Sequence, residues 1–147
     1  MTLIIYKTNC STFLDIHQHL QKVSHLFAFD FTSKVNIEQY AQKLHTLSQR
    51  QEAWNSNTLI GLVAYYISSD CSELFISNVS VLKEYQSNGI ATQLLLLVKK
   101  HAISLSVPTI RLRVANSKPL IFFYQRNGYV ISKVIDNEYE MILHVNM

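Results

Sequence analysis

The stretch Gln86-Ser87-Asn88-Gly89-Ile90-Ala91 sets one of only three glycines in the chain at the mouth of a leucine-rich run, Leu94 to Leu97. Small residues at the start of a helix suit the binding of an anion. The first N–H groups of a helix lack partners within it and the helix dipole is positive there, so the N–H groups of Ser87 to Thr92 can converge on a phosphate. Gly89 and Ala91 then give clearance, because a bulky side chain would hold the phosphate off the backbone. Gly89 would serve equally to let the chain turn tightly into a helix. Two familiar phosphate loops do not fit. GxxxxGK[ST] needs a lysine that does not follow Gly89, and the dinucleotide fingerprint needs three glycines where this stretch has one.

Other chemistry-bearing residues are sparse. Tyr124 lies on an apolar stretch, Leu120 to Phe123, where periodicity alone makes it a core residue. Glu73 opens a strand and is either a base or a solvated strand-end charge. Trp54, Tyr65 and Tyr66 either line a pocket or pack the sheet. His17 and His19 are two apart, which points them to different sides of a helix, and the other histidines show no ligand spacing, so no metal is expected. Cys10 and Cys71 have no second pair and no CxxC spacing, and are expected to be reduced core thiols.

These residues need elements to position them. The chain has 147 residues, 48% of them hydrophobic and 16% charged, enough for one compact core and one domain over residues 1–147. Its net charge of +3 is scattered, with no basic block of the kind that tracks nucleic acid. No apolar run reaches the roughly eighteen residues that span a bilayer, and the first residues do not read as a signal peptide, so a cytoplasmic protein without membrane or nucleic-acid partners is expected.

Residues 2–6 read as a strand. Helical spacing of Phe13, Leu14, Ile16, Leu20, Val23 and Leu26 predicts a helix from Ser11, its N-cap, to about Phe27. A second helix is predicted over 36–49. Ala53-Trp54, residues 58–68 and 73–81 read as consecutive antiparallel strands, and 88–106 as a helix closed by Val107-Pro108. Residues 109–115 alternate as a strand with one buried face, 119–127 form a short helix ending at Asn127-Gly128, and 130–145 form a hairpin around Asp136-Asn137. The fold class is α/β, a mixed sheet with helices on its faces.

The segment Val79 to Leu95, VSVLKEYQSNGIATQLL, resembles the acetyl-CoA-binding segment of the GNAT superfamily of N-acyltransferases. In its motif Q/R-x-x-G-x-G/A, Gln86, Gly89 and Ala91 fill the defining positions. Downstream, FFYQRNGY is similar to the family's second signature through Tyr124, Gly128 and Tyr129. The resemblance covers about residues 59–145.

It implies a mostly antiparallel sheet whose central parallel strands, 73–81 and 109–115, splay apart around the cofactor. The pantetheine arm would pair with the backbone of Val79, Ser80 and Val81. The pyrophosphate would sit on the N–H groups of Ser87, Asn88, Gly89, Ile90, Ala91 and Thr92. The implied activity is acetyl transfer from acetyl-CoA to a primary amine in a ternary complex, by a monomer or homodimer; the alternative is a catalytically degenerate acyl-CoA-binding domain. Tyr124 would protonate the departing thiolate. Glu73 is the candidate base, with Asn78 and Ser80 holding a water. Where family members often carry a cofactor-contacting asparagine, this chain has Ser117. Either Asn116 serves in its place, or Ser117 caps the short helix and Asn116 is loop.

Overall fold

The computed structural model describes residues 3–24 and 36–145. The chain forms β1 (Ile5–Thr8), α1 (Phe13–Val23), α2 (Ile37–Leu47), β2 (Gln49–Asn55), β3 (Thr58–Ile67), β4 (Leu74–Val81), a 3-10 turn (Lys83–Tyr85), α3 (Ile90–Ser104), β5 (Thr109–Ala115), α4 (Lys118–Arg126), β6 (Val130–Ile135) and β7 (Glu138–His144). The strands join one seven-stranded sheet in the order β1-β2-β3-β4-β5-β7-β6. The β4–β5 pair is parallel, whereas β1–β2, β5–β7 and β6–β7 are antiparallel. The element order is the one expected, and the elements pack as two compact units, Met1–Ala64 with Asn78–Leu94 and Tyr65–Ser77 with Leu95–Met147.

In the first unit, α1 starts one residue later than predicted. Its N-cap is Thr12, which accepts the Asp15 N–H at 3.2 Å while the Asp15 carboxylate accepts the Thr12 N–H at 2.9 Å, a reciprocal capping box. Ser11 is instead buried and bonded to Glu52. Ile16, Leu20 and Val23 form the buried stripe, joined by His19, while Leu14 faces solvent. The expected end of this helix, residues 25–27, lies outside the described residues. Asn36 caps α2 by accepting the Gln39 N–H at 3.1 Å. That helix stops at Leu47, because Gln49 already belongs to β2.

β2 is longer than the Ala53-Trp54 pair suggested, and carries Arg50, Gln51 and Glu52 buried. A buried carboxylate is tolerable only when fully hydrogen-bonded. Glu52 accepts the N–H groups of Cys10 (2.9 Å) and Ser11 (3.0 Å), the Ser11 hydroxyl and the Trp54 indole N–H (3.2 Å), with Arg50 Nε at 3.4 Å. Arg50 in turn donates to the carbonyls of Leu44 (3.0 Å) and Ser48 (3.1 Å), the C-terminal end of α2. One ion pair thus ties the entry of α1 and the exit of α2 to β2.

In the second unit, β5 buries Ile110, Leu112 and Val114 and turns Thr109, Arg111 and Arg113 outward, the alternation read from the sequence. β6 and β7 form the expected hairpin, with Asp136 at φ +53° in its turn. Ser117 caps α4, and Gly128, at φ +93°, follows its end. Cys10 and Cys71 are free as expected, but they are exposed rather than in the core. Among the described residues no helix is long and apolar enough to cross a membrane.

Candidate cofactor and active site

The loop between β4 and α3 is shaped by its own side chains. Gln86 folds back so that its amide donates to the Val81 carbonyl at 3.0 Å, and Asn88 donates to the Tyr85 carbonyl at 3.2 Å. Both side chains serve the loop's conformation, and the turn is completed by left-handed backbone at Ser87 (φ +68°) and Gly89 (φ +78°). Gly89 is required by this geometry. A Cβ there would meet nothing within 4 Å, so its other face is open space rather than packed protein. The Gly89 carbonyl accepts the Gln93 N–H at 3.0 Å, the first bond of α3, which leaves the N–H groups of Ile90, Ala91 and Thr92 without helical partners. The tight turn into α3 is thus the role the backbone requires of Gly89, and the space beside it is open.

What seats this loop was not legible beforehand. A Cβ on Gly61 of β3 would lie 3.0 Å from Ile90 and 3.2 Å from both Ala53 and Leu94. Glycine in mid-strand lets the first two turns of α3 lie directly on the sheet.

On β4, Asn78, Ser80 and Val81 are buried and Val79 is half-buried. Val81 was expected to offer its backbone to the pantetheine arm, but its carbonyl already accepts from Gln86. Ser80 Oγ lies 2.8 Å from His19 Nε2 and 2.8 Å from the Asn78 side-chain amide, while His19 Nδ1 is 2.9 Å from the Leu59 carbonyl. Burial, reinforced by the Lys22 charge, lowers the His19 pKa to about 4 against the opposing Leu59 hydrogen bond. His19 and Ser80 are far apart in the sequence, and nothing local to either points to the other.

In the second unit, the parallel ladder of β4 and β5 holds only Leu74 with Ile110 and Phe75 with Arg111. Ile76 and Leu112 are beyond it, so the strands begin to part where the splayed pair was expected to open. Glu73 is in an ion pair with Arg111, whose guanidinium also lies 3.5 Å from Glu140 and 5.5 Å from the Phe75 ring. A base role for Glu73 requires leaving that pair.

Tyr124 is buried on α4, edge-on to Phe123 and Tyr129 at ring-centroid distances of 5.0 and 5.8 Å. Burial pushes its phenol above the ordinary value, which keeps it protonated at neutral pH. The Tyr129 hydroxyl is buried beside it without a hydrogen-bond partner. Ser117 accepts the Leu120 N–H as the α4 cap, and Asn116 is an exposed loop residue whose N–H bonds the Asn137 carbonyl. Trp54 and Tyr65 are core residues with internal partners, Glu52 for the indole and His101 for the phenol at 2.6 Å. Among the described residues no group of three or more His, Cys, Asp or Glu is placed to hold a metal.

A model of the Acetyltransferase (GNAT) family matches residues 14–129. The chain belongs to the GNAT acetyltransferases. Its structure is similar to the ribosomal-protein-S18-alanine N-acetyltransferase from Escherichia coli, at 16% identity and TM-score 0.78, covering 99% of this chain and 96% of that one. It is also similar to aminoglycoside 6'-acetyltransferase type Ii, at 15% identity and TM-score 0.80, covering 99% and 98%. A third similar structure is the PaiA N-acetyltransferase from Thermoplasma acidophilum in complex with coenzyme A, at 17% identity and TM-score 0.71, covering 95% and 99%. No curated protein shows a significant sequence match. At these identities the likeness establishes the GNAT fold, a fold that binds coenzyme A in the Thermoplasma complex.

Proposed function

We propose that this GNAT domain is an N-acetyltransferase that moves an acetyl group from acetyl-CoA to a primary amine by direct transfer. The observation that carries this is Gly89: a left-handed glycine with open space beside it, at the point where α3 offers three unpartnered N–H groups. The chain's residues fit the cofactor. Ser87 to Thr92 hold the pyrophosphate through backbone N–H groups, and Val79 and Ser80 offer β4 backbone to the pantetheine arm, with Val81 restricted by its Gln86 bond. The thioester supplies an activated acyl carbon and a thiolate leaving group.

The amine must attack in its neutral form, and an alkyl amine of pKa about 10.4 is almost wholly protonated at pH 7, so a base or a water chain removes one proton. The C–N bond forms as the C–S bond breaks. Tyr124 gives its phenolic proton to the departing thiolate and is reprotonated, through solvent, by the proton that the newly acetylated nitrogen sheds; a placed donor of this kind contributes roughly 10²- to 10⁴-fold. Glu73 is kept as the candidate base once freed from Arg111, and Asn116 as a loop contact to the cofactor.

The test is acetyl-CoA calorimetry together with thiol release over a panel of glucosamine, spermidine, kanamycin, alanine and an alanyl peptide. Binding and turnover of at least one amine are expected, with both abolished in Gly89→Glu, whose carboxylate enters the pyrophosphate seat. Binding that survives Gly89→Glu sinks the loop assignment. Loop-dependent binding with no turnover on any amine identifies a degenerate acyl-CoA-binding domain.

A further inference from the structure

Arg111 stands between two carboxylates that hold it unequally, and every group involved lies in the second unit. Its Nη2 donates to Glu73 Oε1 in a direct hydrogen-bonded pair. Its Nη1 lies 3.5 Å from Glu140 Oε2, an ion pair too long for a hydrogen bond. Ser132 donates to Glu140 Oε1 at 3.1 Å, which fixes that carboxylate and leaves Oε2 as the oxygen beside Arg111. Glu140 Oε2 is buried and accepts no hydrogen bond, and the Arg111 Nε–H is buried and donates none. Unpaired polar atoms away from water cost free energy, and here an acceptor and a donor are left unpaired in one cluster. Lys133 Nζ, 3.7 Å from the same oxygen, is likewise beyond hydrogen-bond range, and its side chain is largely exposed.

The two carboxylates also differ in what can reach them. The Glu140 side chain is 6% exposed, too buried to touch a substrate. The Glu73 side chain is 37% exposed, and Arg111 occupies only its Oε1, so Oε2 is open to an incoming cation. A base in this place faces one difficulty: an adjacent cation weakens a carboxylate as a base, and a protonated Glu73 leaves a partly buried guanidinium without that partner. Glu140 removes the difficulty. Shortening its 3.5 Å contact to the ordinary charge-assisted length of about 2.8 Å moves the guanidinium by less than about 1 Å.

We propose that Glu140 is a positioning residue for the transfer: it takes over the Arg111 guanidinium as Glu73 Oε2 accepts a proton from the acceptor, which enters as an alkyl ammonium ion. This rests on the transferase function above, with Glu73 as its base. An N–H bond of the ammonium breaks, an O–H bond forms on Glu73, and the nitrogen keeps the electron pair with which it attacks the thioester. Glu73 afterwards releases the proton to solvent. Arg111 keeps an anionic partner throughout, and the Phe75 ring, 5.5 Å away, lies against it. Glu140 acts only through Arg111. The other charges about the cluster are exposed: Lys133, Arg113 opposite Glu140 in the β5–β7 register, and Asp70 in the turn before Glu73.

The experiment is the pH profile of kcat/KM on the best amine of the panel, with acetyl-CoA affinity read by calorimetry. The parent is expected to lose activity toward acid pH as the base is protonated, and Glu73→Gln to abolish that acid limb and lower kcat about 10²-fold or more. Glu140→Gln keeps the acceptor for Ser132 but gives Arg111 to Glu73 alone. It is expected to move the acid limb down by about half a pH unit or more and lower kcat about three- to tenfold, with acetyl-CoA affinity within about twofold of the parent. Arg111→Gln is expected to move the limb the opposite way, a pair of shifts that a merely structural cluster would not produce. In Arg111→Gln/Glu140→Gln the Glu140 change is expected to move the limb less than half as far as it does in the parent. Lys133→Met, at an exposed position, leaves Glu140 to Arg111 and is expected to move the limb up; it covers a Glu140→Gln protein that does not fold. An unmoved limb in the variant that folds, or a Glu140 shift that persists in full without Arg111, overturns the proposal. A limb that survives Glu73→Gln also overturns it while leaving the transferase function standing. A parent that binds acetyl-CoA but turns over no amine overturns both.

Discussion

The Gln86 amide donates to the Val81 carbonyl at 3.0 Å, so the motif's first residue closes the loop onto the last residue of β4 rather than reaching outward. A neutral hydrogen bond of this kind contributes about 0.5–1.5 kcal/mol. Gln86→Ala is expected to weaken acetyl-CoA binding about three- to tenfold through a loosened loop, as read by calorimetry. Gln86→Glu is expected to weaken it further, since it sets an acceptor against an acceptor and adds negative charge beside the pyrophosphate seat. Equal affinity in all three proteins would show that the loop holds its shape without this bond.

Burial raises the Tyr124 pKa above its ordinary value, so the proton-donating form persists throughout the neutral and mildly alkaline range. Tyr124→Phe is expected to lower kcat by roughly 10²- to 10⁴-fold with acetyl-CoA affinity nearly unchanged. In the parent, no fall in kcat attributable to Tyr124 is expected up to about pH 10, the ordinary tyrosine value. An alkaline limb below that pH which disappears in Tyr124→Phe would contradict the buried-donor role. Tyr129→Phe serves as the contrast: it removes a buried hydroxyl without a partner and is expected to keep Tm or raise it.

The features legible in the sequence are those whose causes are local. Gly89 and Ala91 mark the loop, Asn127-Gly128 ends α4, Asp136-Asn137 turns the last hairpin, and alternation marks β5, because each depends on residues a few positions apart. The site's supports depend on distant partners. Glu52 meets Ser11 across 41 residues and His19 meets Ser80 across 61, so no local window contains both members. The strand read at Ala53-Trp54 extends back through Arg50-Gln51-Glu52 because Arg50 and Glu52 find buried partners at Leu44 and Ser11. Ser11 looked like the α1 cap for the same reason: its real partner, Glu52, was out of sight, and Thr12 with Asp15 had the better capping geometry. Gly61 lies inside the strand predicted over 58–68, but what it does there, admitting Ile90 and Leu94 and so seating the loop before α3, depends on residues distant in sequence.

Glu52 tests that support directly. It is fully buried, and its loss strands Arg50 and two backbone N–H groups away from water. Removing one partner of a buried ion pair costs about 3–5 kcal/mol, so Glu52→Ala is expected to lose stability of that order in urea unfolding. The double variant Arg50→Met/Glu52→Leu, which removes both charges, is expected to recover part of the loss. A single-variant loss below about 1 kcal/mol, the scale of an exposed pair, would mean that the site is wetter than its burial indicates.

His19 makes stability depend on pH with a determined sign. Its pKa is about 4 in the folded protein against an ordinary 6.5, so between these values the unfolded chain binds the extra proton. The full stability is present above about pH 6.5 and falls as pH drops through about 4, a change on the order of 3 kcal/mol for a shift of this size. Urea unfolding at pH 7.5, 5.5 and 4.5 measures most of this window and stays above the region near pH 2 to 4 where the hydrogen-bonded Asp70 carboxylate titrates. Glutamine does not titrate, so His19→Gln is expected to flatten the slope between pH 7.5 and 4.5 while keeping both hydrogen bonds. If the parent and His19→Gln lose stability in parallel, His19 is not the group that senses acid, and a neutral imidazole between Leu59 and Ser80 is not what holds β4 against α1.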